Sequence, residues 1–384
     1  MKISDRIASA RPLATTAMHG RVEAMRAAGL PVIDFSIAIS HLPAPQAVRD
    51  AVRAALEDEA TLPYTSVVGA HAIRASICAK LARENGIDAA IDEIIVTNGA
   101  KQGLFEAMYA LTDPGDRVIV FRPHWPAYVA TSQLLGLDID LVDLPDVLTA
   151  QFMAGLAPAR LIILNNPHNP TGKVFTRREL EHVRDWAAAC GAGVIVDESY
   201  ELMAFSGEHV SLARLCDWRG LGVVTLFSTS QSYAMMGWRA GFALAPANVV
   251  DAMQVLQGPV TAAAPALSQV AMQSAFAGGA MDGMLDDYRA RRDLAIALFA
   301  TRDWIVMAAP DSGPYLWGDV RALTLDTVAF AEALFDQAGV AVMPGEALGV
   351  AGFIRLGYIS DTVATLVDGI ERILAFGDAY AREK

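Results

Sequence analysis

Short, unbroken apolar runs punctuate the middle of the chain: Ile94-Ile95-Val96-Thr97, Val118-Ile119-Val120-Phe121, Leu161-Ile162-Ile163-Leu164, Gly193-Val194-Ile195-Val196 and Val223-Val224-Thr225-Leu226-Phe227. They are rich in β-branched residues, and each predicts a buried strand. Helical stretches separate them, one running to about Leu111 and one from Thr176 to about Cys190. Strands apolar on both faces that alternate with helices predict an α/β fold with a mainly parallel sheet covered by helices. The C-terminal part reads differently. Short strands around Tyr315-Leu316-Trp317, Val340-Ala341-Val342 and Gly352–Leu356, with helices near Val328–Gln337 and Asp361–Phe376, predict a smaller α+β domain.

Local signals place the element ends. Gly29 is a helix stop after the N-terminal arm, and Val32–Ser36 reads as a short strand. Pro45 opens a helix from Gln46 to about Leu56, and a further helical stretch covers Ala72–Glu84. Thr176-Arg177-Arg178-Glu179 has the reciprocal spacing of a capping box. A long charged amphipathic helix, from about Met281 to Phe299, is expected to join two domains. The expected division is an arm with part of the small domain over 1–40, a large domain over 41–285 and a small domain over 286–384. There is no internal repeat and no low-complexity segment.

A length of 384 residues agrees with about two domains. With 30 basic and 43 acidic residues the net charge is −13, which argues against a nucleic-acid partner, because such a partner needs a basic face. No apolar run reaches the roughly 18 residues that span a bilayer, and the N-terminus lacks the apolar core of a signal peptide, so no membrane role is expected. Cys78, Cys190 and Cys216 are an odd number without C-x-x-C spacing, and predict buried thiols in a cytoplasmic protein. No zinc-like Cys/His spacing occurs.

The chemistry-bearing residues cluster where strands end: Gly99, Trp125, Asn169, Asp197 and Ser228 each follow an apolar run. In open α/β sheets, ligands bind at the carboxyl ends of the strands. Asn98-Gly99-Ala100-Lys101-Gln102 joins a strand to a helix start, where free amides and the helix dipole favour an anion.

Residues 228–241, S-T-S-Q-S-Y-A-M-M-G-W-R-A-G, follow one of those strands. Their pattern resembles the lysine loop of fold-type I pyridoxal phosphate (PLP) enzymes, the class I/II aminotransferases, which reads S-x-S-K followed by G-W-R-x-G. The N-P-x-N-P-T-G string at 166–172, the Y-x-x-x-x-G segment at 64–69 and Gly352-Phe353-Ile354-Arg355-Leu356 match the same family in the same order. The resemblance runs from about Ile33 to Leu356. It implies a fold-type I PLP-dependent transferase fold, and a homodimer with its active sites at the interface. Gly99, Ala100, Lys101, Ser228, Ser230 and Arg239 would hold the cofactor phosphate, joined by Tyr64 from the neighbouring subunit. Thr261 stands where the family has a residue touching the partner's phosphate. Trp125 would stack on the pyridine ring, Asn169 and Tyr200 would hold the phenolic oxygen, and Asp197 would keep the ring nitrogen protonated. An isolated buried carboxylate is costly, so a cationic partner for Asp197 is expected. Arg355 would take the substrate α-carboxylate, with Trp125, Asn169 and Ala38 beside the substrate. Ala38 lies in Ser36-Ile37-Ala38-Ile39, where the family shows a glycine-rich stretch, so a narrowed pocket is expected.

The chain departs from the family at one decisive position. Gln231 stands where the lysine forms the Schiff base. A lysine there would both attach the cofactor and move a proton at the substrate α-carbon. A glutamine amide is neither nucleophilic nor basic enough for either task. The expected catalytic group is therefore Gln231, Asp197 and Tyr200, with turnover impaired. Pyridoxal 5'-phosphate, pyridoxamine phosphate or the external aldimine would be held non-covalently. No metal is implied. Because the other contacts look intact, the expectation is an engineered replacement that traps a bound intermediate; a natural member that lost its lysine is the alternative. The implied reaction is transamination of an amino acid/2-oxo acid pair. Elimination, replacement, cyclisation or oxidation on the same fold, and a non-catalytic PLP- or PMP-binding role, are the competing readings.

Overall fold

The structure, a computed structural model of the chain, describes residues 1–4, 7, 13–59, 63–278 and 283–382. In chain order the strands are β1 (Ile33–Asp34), β2 (Ile94–Thr97), β3 (Arg117–Arg122), β4 (Asp138–Asp143), β5 (Leu161–Asn165), β6 (Gly193–Asp197), β7 (Val223–Ser228), β8 (Gly241–Leu244), β9 (Val306–Met307), β10 (Tyr315–Asp319), β11 (Val340–Ala341), β12 (Met343–Pro344) and β13 (Phe353–Gly357). Seven of them form the main sheet in the order β2-β8-β7-β6-β5-β3-β4. Only β8 runs antiparallel to its neighbours; β7, β6, β5, β3 and β4 are parallel. The mainly parallel sheet expected from the apolar runs is therefore present.

Successive side chains of a strand point to opposite faces. Ile119, Ile162, Leu164, Val194 and Val196 pack into one apolar layer. Val118, Val120, Ile163, Ile195 and Leu226 pack into the other, beneath the helix Ala100–Leu111. Both faces are dry, which is why the strands read as unbroken apolar runs rather than alternating ones. Strand β4, D-I-D-L-V-D, was not anticipated. It is the sheet edge, where alternating polar residues meet solvent and blunt the apolar signal.

A second, four-stranded antiparallel sheet has the order β12-β13-β10-β9. Strand β1 pairs in parallel with β11, Ile33 opposite Val340. Phe35 therefore joins Leu316, Phe330, Ile354 and Ile370 in one core, although more than 280 residues separate it from them in sequence.

The local signals largely hold. Pro45 precedes the helix Gln46–Leu56. In the helix Arg177–Cys190, the Thr176 hydroxyl accepts from the Glu179 amide at 3.3 Å and the Glu179 carboxylate accepts from the Thr176 amide at 2.9 Å. The third helix is shorter than predicted, His71–Lys80, and continues as a π-turn over Leu81–Asn85. The last helix is longer, Val363–Arg382. The amphipathic helix before the second sheet spans Met284–Phe299; its predicted start at Met281 lies outside the described residues. The three cysteines are unpaired, but only half-buried rather than buried, each packed against the margin of the main apolar core.

Candidate active site

The carboxyl ends of β5, β6 and β7 open into one pocket of about 650 Å³, part of it open to solvent. Of the residues singled out in the sequence, Ala100, Lys101, Trp125, Asn169, Asp197, Tyr200, Ser228, Ser230, Gln231 and Arg239 line it. Sequence reasoning missed four more lining residues: Tyr128, Asn165, Ser199 and Tyr315. Asn165 and Ser199 adjoin or fall within motifs and could have been suspected. Tyr128 lies three residues past Trp125 and Tyr315 in a distant strand, so neither carried a signal.

One end of the pocket is cationic. The helix Ala100–Leu111 begins there, with Gly99 as its cap at φ +80°. The backbone angle requires glycine, and a Cβ there would sit 2.7 Å from Arg239 Nη2 and push the guanidinium aside. Arg239 itself has φ +51°, a costly conformation for a side-chain-bearing residue. Its guanidinium is held by donating to Met236 O at 2.9 Å and Asn98 O at 3.2 Å. Lys101 projects over the Trp125 ring, 5.1 Å from its centroid. Burial, and then the neighbouring Arg239, push the Lys101 ammonium below its ordinary pKa. Among the described residues neither cation has a carboxylate partner. Two unpaired cations at a helix N-terminus make an anion site.

The other end is a carboxylate. Asp197, at the end of β6, is only 4% exposed. The expected cationic partner is absent among the described residues. Asp197 Oδ2 instead accepts from Tyr128 OH at 2.8 Å, and Oδ1 accepts from Ser199 Oγ at 2.6 Å and Ser199 N at 3.1 Å. Neutral donors do not cancel the charge, and burial pushes the Asp197 carboxyl above its usual range. The pocket thus offers an uncompensated buried anion to a ligand cation.

Asn169 ties this pocket to the second sheet. Its amide nitrogen donates to Tyr200 OH at 3.4 Å, and its Oδ1 accepts from Arg355 Nη1 at 3.2 Å. Arg355, on β13, is 1% exposed, donates to Ser36 O at 2.8 Å and stacks over Tyr315 at 4.0 Å. Its Nε is buried without a partner, and no carboxylate pairs with it among the described residues. A surface ion pair, the ordinary alternative for this arginine, is thereby excluded. Ala38 is buried in the core beside Gly357, where a Cβ on the glycine would meet Ala38 Cα at 3.0 Å; it does not line the pocket.

Gln231 faces the pocket, and its amide makes no hydrogen bond to another described residue. Lys80 and Lys173 are committed elsewhere, to Glu201 and Glu179. Tyr64 does not reach this pocket and is 97% exposed. Thr261 accepts from Gln102 Nε2 at 2.9 Å. No helix among the described residues is long and apolar enough to cross a membrane.

A family model described as "Aminotransferase class I and II" matches residues 31–373. The chain is 32% identical to the aspartate aminotransferase of Streptomyces avermitilis over 391 aligned positions, covering 97% of this chain and 95% of that one. It is 30% identical to the aspartate/prephenate aminotransferase of Thermus thermophilus, covering 93% and 94%. The solved structure of Thermus thermophilus aspartate aminotransferase with maleate superposes with a TM-score of 0.92 at 29% identity, covering 98% of this chain and all of that one.

Proposed function

Because this chain belongs to the class I and II aminotransferases, fold-type I enzymes whose cofactor is pyridoxal 5'-phosphate, we propose that its pocket takes that cofactor together with an amino acid/2-oxo acid pair. The observation that carries this is the charge layout of one pocket. Unpaired Arg239 and Lys101 stand at a helix N-terminus, and an uncompensated buried Asp197 stands apart from them. A phosphate dianion and a protonated ring nitrogen are the two charges that such a pocket lacks.

When bound, the cofactor supplies an electron sink that eases removal of a proton from the substrate α-carbon. The chain's own residues do the rest. Arg239, Ser228, Ser230 and the amides of Gly99, Ala100 and Lys101 hold the phosphate. Trp125 covers the ring, Asn169 and Tyr200 orient the phenolic oxygen, and Asp197 keeps the ring nitrogen protonated. Arg355, its Nε unpaired and its Nη1 already tied to Asn169, takes the substrate α-carboxylate. Gln231 provides neither a covalent anchor nor a base, so turnover is impaired. That Arg239, Lys101, Trp125, Asn169, Asp197 and Tyr200 line one pocket supports Gln231 as a replacement in a working site, one suited to hold a bound complex in place.

The same reading includes a homodimer. Tyr64 is fully exposed, and its segment is fastened to the helix Ala247–Thr261 by Gln257 Nε2 donating to Val67 O at 2.6 Å. That helix leaves Val255 and Val260 in solvent, an apolar surface suited to a second copy. The division at residues 40 and 285 belongs to this reading, and a cytoplasmic location fits three unpaired thiols.

Equilibrium dialysis against PLP, followed by a panel of amino acid/2-oxo acid pairs offered to the Gln231→Lys protein, tests the proposal. Micromolar binding by the parent, and transamination by the lysine form, are expected. No PLP binding by either protein would overturn it. Elimination or oxidation products without amino transfer would replace the reaction and keep the cofactor.

A further inference from the structure

We propose that Tyr128 is a positioning residue for the cofactor-binding carboxylate, holding Asp197 ionised and Trp125 in place at the same time. This rests on the reading of the pocket as a PLP site. Tyr128 is buried on the first turn of the helix Pro126–Leu135, with Trp125 as that helix's cap. Its hydroxyl donates to Asp197 Oδ2 at 2.8 Å. Its ring meets the Trp125 ring edge-on, with centroids 5.5 Å apart and planes at 84°. One side chain therefore braces both the group that would cover the cofactor ring and the group that would pair with the ring nitrogen.

The hydrogen bond has a direction of effect. Asp197 pairs with no cation among the described residues, so its charge is held by Tyr128, by the Ser199 hydroxyl and by the Ser199 amide alone. Burial works against them and pushes its carboxyl upward. A donor to the charged form opposes that push. Burial also pushes the Tyr128 hydroxyl far above its ordinary pKa, so it remains a donor throughout the physiological range. Removing it leaves the carboxylate easier to protonate, and a protonated Asp197 no longer attracts a ring cation.

Tyr128→Phe separates the two functions, because the phenyl ring keeps the edge contact with Trp125 and loses only the hydroxyl. PLP affinity is measured by equilibrium dialysis from pH 4.5 to 8 for the parent, Tyr128→Phe and Ser199→Ala, with circular dichroism to confirm folding. The ligand's own titrations are common to all three and cancel in the comparison. Around Asp197 the other ionisable groups are Tyr200, pushed upward by burial, and Lys101, Arg239 and Tyr315 of the same pocket. Loss of a hydrogen bond to a charged group is expected to move the acid limb of PLP binding upward by about one pH unit in Tyr128→Phe, with a shift of the same sign in Ser199→Ala. An acid limb in folded Tyr128→Phe that coincides with the parent's would overturn the proposal and reduce Tyr128 to packing. Absence of PLP binding in the parent would instead overturn the functional reading on which it rests.

Discussion

At the scale of single residues, position 231 separates what this pocket can bind from what it can turn over. An amide at 231 cannot condense with an aldehyde, whereas an amine can. Gln231→Lys is therefore expected to become covalently labelled at 231 when incubated with PLP and reduced with borohydride. Peptide mapping that finds no label at 231 would remove this position from its assigned role. Asp197 tests the other end of the pocket. Its buried carboxylate is raised by desolvation, so it costs the fold stability rather than supplying it. Asp197→Asn in the Gln231→Lys background is expected to lose most turnover while its melting temperature stays level or rises. Undiminished turnover would show that the ring nitrogen needs another partner.

At the scale of elements, the pocket depends on where the helix Ala100–Leu111 begins. Gly99 permits Arg239 to lie against the helix start, and Gly241 permits β8 to pass the Ala100 amide, which a Cβ would approach to 2.8 Å. Gly99→Ala would meet both a φ of +80° and the Arg239 guanidinium. The expected outcome is a loss of phosphate-dependent affinity, at least tenfold in PLP titrations, against a modest fall in stability of roughly 1 kcal/mol. Equal affinity for PLP in this variant would separate the loop from the anion site. The capping box is an independent element with no part in the pocket. Thr176→Ala is expected to cost about 1 kcal/mol in urea unfolding and to leave PLP affinity unchanged.

At the scale of the whole molecule, one buried carboxyl makes stability depend on pH. Glu198 follows Asp197 and is fully buried, and both its oxygens lack a hydrogen-bond partner among the described residues. Burial, and then Glu201, push its carboxyl up to about 8. The unfolded chain releases this proton near the ordinary value for glutamate, so between about pH 4.5 and 8 the folded state binds the extra proton. The Glu198 contribution is thus fully favourable below pH 4.5 and is lost as pH rises through 8. Glu198→Gln keeps the neutral form at every pH, and its stability relative to the parent is expected to rise from pH 5 to pH 8 by roughly a few kcal/mol. Parallel stability curves for the two proteins would show that Glu198 ionises in the fold without cost. The quaternary prediction belongs to this scale as well. Sedimentation at micromolar concentration is expected to give a dimer, and a monomer that still binds PLP tightly would leave Tyr64 without its proposed role.

The sequence by itself determined the sheet, the order of its motifs and the missing amine. Unbroken apolar runs have few alternatives to a doubly covered parallel sheet, and residues at the strand ends must then gather at one edge of it. The same reasoning placed Trp125, Asn169, Asp197 and Ser228 in the pocket because each follows a strand end, and the family resemblance added Ala100, Lys101, Tyr200, Ser230, Gln231 and Arg239. It failed where the answer depends on distance through space. Strand β4 is decided by its place at the sheet edge, and the partner of β1, though not the strand itself, by pairing with β11 some 300 residues away. The cation expected beside Asp197 proved to be two neutral hydroxyls and an amide, since no local pattern specifies which helix turn will face a given carboxylate. Arg355 could be matched as a motif, but only packing against Tyr315 and Asn169 buries it and leaves its Nε unpaired. Local propensity and hydrophobic period are properties of neighbouring residues, whereas desolvation and charge pairing are properties of residues brought together by the fold.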